Sequence, residues 1–262
     1  MSDFNGARLK LQRAESQAKQ IRREFAEWFS VENNPYSLSV ENDGSAREWW
    51  VVWRVHKPLP EMWPVRIGEI VHNLRSALDH VIYEASAPAP DGNPLAGTEF
   101  PIFLEEEPYR KTRRGGGLYK IRGLSPEAKA FVERCQPFTC GNPKGHFLWI
   151  LQELSNADKH RLLNFASTYN IKGDMIMEWE PAVSGIEWTR LTSQGKLEDG
   201  AEFFRICVTG ASPDTKADVT GQFAYAVLFD ESVPSTAKLP VWRVLEGAGK
   251  FVGAVINEFV KL

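Results

Sequence analysis

The spacing of hydrophobic positions predicts four long amphipathic helices. In residues 3–30 apolar side chains recur at alternating intervals of three and four, a heptad pattern typical of a helix that packs along other helices. The same spacing predicts helices at about 64–86, 146–167 and 240–261. Ser125, followed by a proline, predicts the start of a shorter helix. Four long helices of this kind favour an antiparallel bundle.

Two other regions alternate between apolar and polar residues with a period of two. Residues 36–56 predict two strands around the turn residues Asn42-Asp43-Gly44, and residues 170–231 predict four more strands in an antiparallel meander. The last helix follows these strands, so the sheet is expected to be inserted into the bundle. The sequence therefore predicts an α+β fold: an antiparallel helical bundle with an inserted, mostly antiparallel β-sheet, in one integrated domain over residues 1–262.

Composition narrows the class of protein. The chain has 262 residues, of which 43% are hydrophobic, enough for a sizeable core. A net charge of −3 does not demand a polyanionic partner, and no apolar run reaches the ~18 residues of a membrane span. The first residues lack a signal pattern, and three cysteines argue against a disulfide scaffold. We expect a cytoplasmic protein without a membrane partner.

Most of the candidate chemistry lies on the helix from Pro64 to Ala85. At about 100° per residue its polar side chains form two borders. One border contains His72, Arg75 and Asp79; the other contains Glu69, Asn73, Ser76 and His80. Arg75 and His80 lie about 140° apart around the axis, so they do not meet side by side on one helix. A joint role for them needs a substrate or a second subunit that spans both borders.

The segment from Arg75 to His80, RSALDH, places a histidine five positions after an arginine. It resembles the Arg-x4-His motif of the HEPN superfamily, all-helical domains that include many metal-independent endoribonucleases of toxin and antiviral systems. The resemblance implies that Arg75 stabilises the phosphate in the transition state and that His80 transfers or orients a proton. It also implies an RNA substrate, no cofactor and a homodimer that completes the site. The chemistry is reasonable because guanidinium clamps phosphate and imidazole titrates near neutral pH.

The resemblance covers six residues of one helix, and the looser pattern of an arginine followed by four to six residues and a histidine also fits Arg66 with His72. The predicted strands also depart from the compact all-helical domain of the family. An alternative is therefore kept: a non-enzymatic binding or assembly protein whose polar groups form a structural network that holds two helices in register. In either interpretation the supporting polar residues are Asn73, Asp79, Asp158, His160 and Arg161.

Asp158 is the least expected residue of the predicted helix 146–167. Counting 100° per residue places its carboxylate within the apolar stripe of helix 146–167. An unpaired buried carboxylate costs several kcal/mol, so Asp158 is expected to have a cationic partner. The sequence offers Arg161 on the same helix, or Arg75 or His80 across the helix interface.

A charge switch follows three glutamates at 105–107. Basic residues interleaved with tyrosines and three glycines predict a mobile loop that contacts RNA phosphates and bases, although a solvated charged loop has the same composition. The candidate nucleic-acid-binding residues are Arg110, Lys111, Arg113, Arg114 and Lys120.

Metal chemistry has two weak candidates. Glu69 and His72 have the Glu-x-x-His spacing of di-iron bundles, but no second such motif is present. Cys135, Cys140 and His146 offer three zinc ligands without an evident fourth, so we predict ordinary thiols and no metal. The sequence thus favours a HEPN-like ribonuclease or RNA-binding protein, with the non-enzymatic binding protein as the alternative.

Overall fold

The computed structural model describes residues 3–44, 47–191 and 197–262, which form helices and two antiparallel sheets. The helices are α1 (Asn5–Trp28), α2 (Met62–Ala85), α3 (Glu106–Arg110), α4 (Gly117–Lys120), α5 (Pro126–Arg134), α6 (Phe147–His160) and α7 (Val241–Phe259). The strands are β1 (Tyr36–Asn42), β2 (Glu48–Val55), β3 (Phe165–Glu180), β4 (Gly185–Leu191), β5 (Glu202–Thr209) and β6 (Lys216–Phe229). The predicted α+β class is confirmed, whereas the antiparallel bundle stays a prediction.

The chain divides into two compact units, and each is built from separate segments. The helical unit contains Met1–Arg22, Glu61–Asn164 and Phe229–Leu262, and the strand-rich unit contains Arg23–Pro60 and Phe165–Leu228. Along the chain, both strand-rich segments lie between segments of the helical unit, as expected for an inserted sheet. The single integrated domain stays a prediction. In the described ranges no helix combines the length and apolar character that crossing a membrane requires.

Strand order in the strand-rich unit differs from the predicted meander. One sheet has the order β1-β2-β5-β4, and β3 pairs with β6. The predicted meander was wrong because strands that are distant in sequence can pair. Period-two spacing predicts where a strand lies but not which strand it pairs with. β2 pairs with β1 along one edge and with β5 along the other, and its successive residues Val52 and Trp53 are both buried, so both of its faces are covered. Trp53 is 1% exposed and packs its ring 4.7 Å from Tyr169 and 5.0 Å from Phe223.

α2 provides much of the helical unit's core. It packs against both α6 and α7, and its apolar face is buried. The fully buried members include Ile67, Ile70, Leu74, Leu78 and Ile82. Burying each such side chain is worth about 1.5–3 kcal/mol relative to exposure, so these residues fix the rotation of α2 about its axis. That rotation decides which neighbours its polar borders meet.

The predicted helix 146–167 is too long at its C-terminal end. α6 ends at His160, Arg161 is extended at φ −161° and ψ 158°, and β3 begins at Phe165. Leu162 and Phe165 continued the helical spacing, but Leu162 is 56% exposed. Two apolar residues at the end of a pattern fit a following strand as well as one more helical turn.

The predicted mobile loop is also wrong, because Glu106–Arg110 and Gly117–Lys120 form short helices and the glycines at 116 and 117 are buried. Tyr109 is completely buried, and a Cβ on Gly117 would lie 2.5 Å from its Cδ2. A Cβ on Gly116 would lie 2.1 Å from the backbone oxygen of Lys111. These glycines are therefore places of close backbone approach.

Candidate functional site

Arg75 and Asp79 hold the chain segment at Phe100 against α2. The Arg75 Nη1 donates to Asp79 Oδ1 at 2.6 Å, and its Nη2 donates to the Phe100 carbonyl at 2.9 Å. The Phe100 N–H donates to the same Asp79 oxygen at 2.9 Å. The Arg75 side chain is only 12% exposed, and burial raises the pKa of Asp79 while the Arg75 charge opposes that rise. The Arg75 and Asp79 side chains together form a clamp on the backbone at Phe100.

His80 faces the other side of α2. A Cβ on Gly6 would lie 2.7 Å from His80 Nδ1 and 3.0 Å from Glu84 Oε1, so His80 packs against the first turns of α1. Arg75 instead contacts Phe100. The structure therefore does not bring the two predicted catalytic residues together, in agreement with their separation around the helix axis.

Asn73 also faces α1. Its Nδ2 donates to Gln17 Oε1 at 3.2 Å, and its Oδ1 accepts from Lys10 Nζ at 3.3 Å. Gln17 Nε2 in turn donates to Glu69 Oε2 at 2.9 Å. Asn73 and Glu69 thus belong to a polar contact between α1 and α2, apart from the clamp of Arg75.

Asp158 does not have the partner that the sequence suggested. Arg161 donates its Nη2 to the Ser232 carbonyl at 2.6 Å, and His160 is exposed. Asp158 packs against Gly68, where a Cβ would lie 2.1 Å from its Oδ1. Burial raises the pKa of Asp158, and the nearby His72 lowers it. The arginine pairing was wrong because the helix ends before Arg161 and because a glycine in α2 makes room for the carboxylate.

Two polar hollows lie along the helical unit. An outer groove of about 530 Å³ is lined by side chains that include Arg13, Gln17, Glu69, His72, Asn73 and Asp158. A smaller hollow of about 200 Å³, here called the α2–α6 hollow, is lined by His72, Arg75, Ser76, Asp79, Glu99, Ile102, Lys120, Gln152, Ser155 and Lys159. His72 borders both. His72 is therefore the histidine that lines a hollow together with Arg75, whereas the sequence motif placed His80 with Arg75.

Positive charge is in slight excess around the α2–α6 hollow. Lys120 pairs with Glu99 at 2.6 Å, and Arg75 pairs with Asp79. Lys159 is exposed and forms no ion pair within the described ranges. Three cations therefore face two carboxylates. An arginine has five N–H donors, of which the hydrogen bonds given above account for two, so the hollow has donors and charge suited to an anion.

The predicted nucleic-acid-binding residues separate into two groups. Arg110 pairs with Glu106 and Glu133, Lys111 pairs with Glu107, and Lys120 pairs with Glu99. Arg113 and Arg114 are exposed, and neither forms an ion pair with any part of the chain that the structure describes. Because the first three charges are matched by carboxylates, these residues do not form one continuous basic surface.

The three candidate zinc ligands have separate surroundings. Burial raises the pKa of the Cys135 thiol to about 12, and Cys140 is exposed with its Sγ donating to the Pro137 carbonyl at 3.1 Å. His146 caps α6, because its Nδ1 accepts from the Leu148 N–H at 3.2 Å. Among the described residues no three His, Cys, Asp or Glu side chains are grouped to hold a metal ion.

The cap at His146 predicts a pH-dependent stability. Burial lowers the pKa of His146 below its ordinary value of 6.5, and protonation would remove the Nδ1 acceptor. A lowered folded-state pKa means that the stabilisation is complete above pH 6.5 and is lost as the pH falls through the folded pKa. His146→Asn keeps a capping oxygen that does not titrate. We expect the wild type to lose about 0.5–1 kcal/mol more unfolding free energy than this variant between about pH 8 and pH 5.5. Equal losses in urea titrations would contradict the cap.

No protein-family model, curated protein or solved structure matches this chain.

Proposed function

We propose that this protein is a non-enzymatic binding protein that takes a phosphate monoester in the α2–α6 hollow. The observation that carries the proposal is the grouping of Arg75, Lys120 and Lys159 around one hollow in which only two carboxylates oppose them. Arginine and lysine are the side chains that proteins use most for phosphate, the first through its fork of donors and the second as a point charge.

The size of the hollow favours a terminal phosphate. About 200 Å³ admits a phosphate group and the first atoms of the body attached to it. A phosphodiester within an RNA strand needs two exits for the chain, whereas a monoester needs one. A monoester also carries the larger charge and gains more from a site with excess cations.

The position of Arg75 supports binding over RNA cleavage. Two of its nitrogen atoms already hold Asp79 and Phe100, and His80 faces α1. A guanidinium engaged in this way is fixed in one orientation, which suits recognition of an anion that arrives at its remaining donors. Arg75 therefore belongs both to the structural polar network of the alternative interpretation and to the proposed anion site.

The proposal is tested by calorimetric titration of the full chain with a nucleoside monophosphate and with inorganic phosphate. Lys159→Gln removes the unpaired cation of the hollow without touching the clamp. We expect it to weaken monophosphate binding about 5- to 10-fold while leaving the melting temperature unchanged. Lys144→Gln, at an exposed lysine outside the hollow, is the matched control and should bind like the wild type.

Three results would each overturn the proposal. The first is the absence of monophosphate binding at millimolar concentration, and the second is equal affinities in the Lys159 and Lys144 variants. The third is RNA cleavage that persists in chelator and disappears in His80→Ala with the fold intact, because that outcome assigns the chain to the ribonuclease class.

A further inference from the structure

A third hollow, lined mainly by apolar side chains, lies within the helical unit and shares no lining residue with the two polar hollows. It has a volume of about 280 Å³ and is bounded by α1, α2 and α7. Its apolar lining consists of Ala14, Ala18, Ile70, Leu74, Leu245 and Gly249, and charged residues with Trp242 form its rim. We call it the α1–α7 hollow.

Gly249 shows that this space is open. Apart from the adjoining backbone of α7 and its two chain neighbours, no atom of the described chain lies within 4 Å of the position that a Cβ would occupy there. A glycine in the interior of a helix costs about 1 kcal/mol relative to alanine, and no tightly packed neighbour requires it at this position. The hollow is therefore a volume that a larger side chain at 249, or a bound molecule, can fill.

The rim combines an ordered cluster with one unpaired cation. The Arg22 guanidinium lies 4.9 Å above the Trp242 ring and 3.8 Å from Glu246, and Lys250 pairs with Glu246 at 2.6 Å. Lys19 lines the same rim and forms no ion pair with the residues that the structure describes. With Glu15 and Glu246 opposed to three cations, the rim has an excess of one positive charge.

We propose that the α1–α7 hollow binds a small apolar carboxylate, with the hydrocarbon body on the alanine, leucine and isoleucine side chains and the carboxylate at Lys19. Apolar walls with few polar groups at the mouth are the usual composition of a small-molecule site. Burial of the hydrocarbon body against the apolar walls favours binding, and the excess positive charge at the rim favours a ligand with an anionic head. The volume suits a chain of about eight carbons.

Octanoate is the probe, with 1-octanol as its uncharged match, and binding to the full chain is followed by calorimetry. We expect octanoate to bind at least about fivefold more tightly than octanol, and Lys19→Gln to remove that preference. Gly249→Leu fills the hollow and should lower octanoate affinity at least about tenfold. Ala254→Leu adds the same side chain at an exposed position of α7 and should bind like the wild type.

The melting temperatures of the four proteins show whether each variant is folded. If Gly249→Leu unfolds, the proposal is tested by the octanoate preference of Lys19→Gln, because an exposed lysine can be changed without disturbing the core. Equal affinity for octanoate and octanol, no octanoate binding at millimolar concentration, or wild-type binding by Gly249→Leu would each overturn the proposal.

Discussion

Arg75→Ala is expected to lower the free energy of unfolding by about 2–3 kcal/mol. The change leaves the Asp79 carboxylate without its cation and the Phe100 carbonyl without its donor. A buried polar group that loses its partner costs about 1–3 kcal/mol, and more when it is charged, although the 35% exposure of Asp79 limits the penalty. The measurement is urea denaturation of the wild type and the variant at neutral pH.

His80→Ala is the control for this prediction. His80 lies on the same helix at the border that faces α1, outside the clamp, and its loss should cost less than about 1 kcal/mol. A double-mutant cycle with Asp79→Asn should give a coupling energy of about 1 kcal/mol or more between positions 75 and 79. An Arg75→Ala protein as stable as the wild type would show that the clamp is not structural. Combined with loss of RNA cleavage, that result would restore the catalytic interpretation.

The sequence predicted helices well where a pattern ran through many turns. α1 and α2 repeat their apolar spacing over 24 residues each, so their existence did not depend on any one residue. The C-terminal end of α6 depended on Leu162 and Phe165 alone and was wrong. Ends are set by local backbone geometry and by the start of the next element, neither of which a periodic pattern encodes.

The candidate site was predictable only as far as its contacts are local. The spacing of Arg75 and Asp79 allows an ion pair within one helix, and the sequence placed them on one border. Their third partner, Phe100, comes from a distant segment and is recognised through its backbone, which every residue has. No side-chain pattern could have identified it.

Asp158 illustrates the opposite case. Helical geometry correctly placed its carboxylate toward other helices, and electrostatics correctly required an explanation for it. The carboxylate is admitted by Gly68, which has no side chain to occupy the same space. A lone glycine inside a helix was the available signal, since such a residue commonly has a packing reason.

In the region of residues 106–120, Gly116 lies close against the backbone of Lys111. Gly116→Ala is expected to destabilise the protein by about 3 kcal/mol, because the new Cβ would lie 2.1 Å from the backbone oxygen of Lys111 and 2.5 Å from its Cβ. Backbone atoms cannot move aside as a flexible side chain can. The φ of Gly116 is −81°, so the expected cost is steric and not conformational.

Gly141→Ala is the matched control for that steric effect. Gly141 is exposed, and apart from its two chain neighbours no atom in the described ranges lies within 4 Å of its Cβ position, so the change should stay within about 0.5 kcal/mol of the wild type. Both variants are compared by urea denaturation. If residues 106–120 were a mobile loop, Gly116→Ala would behave like Gly141→Ala, since a flexible backbone accommodates a methyl group. A loss confined to Gly116→Ala means that this region is a packed scaffold, on which Arg110, Lys111 and Lys120 are held against Glu99, Glu106, Glu107 and Glu133.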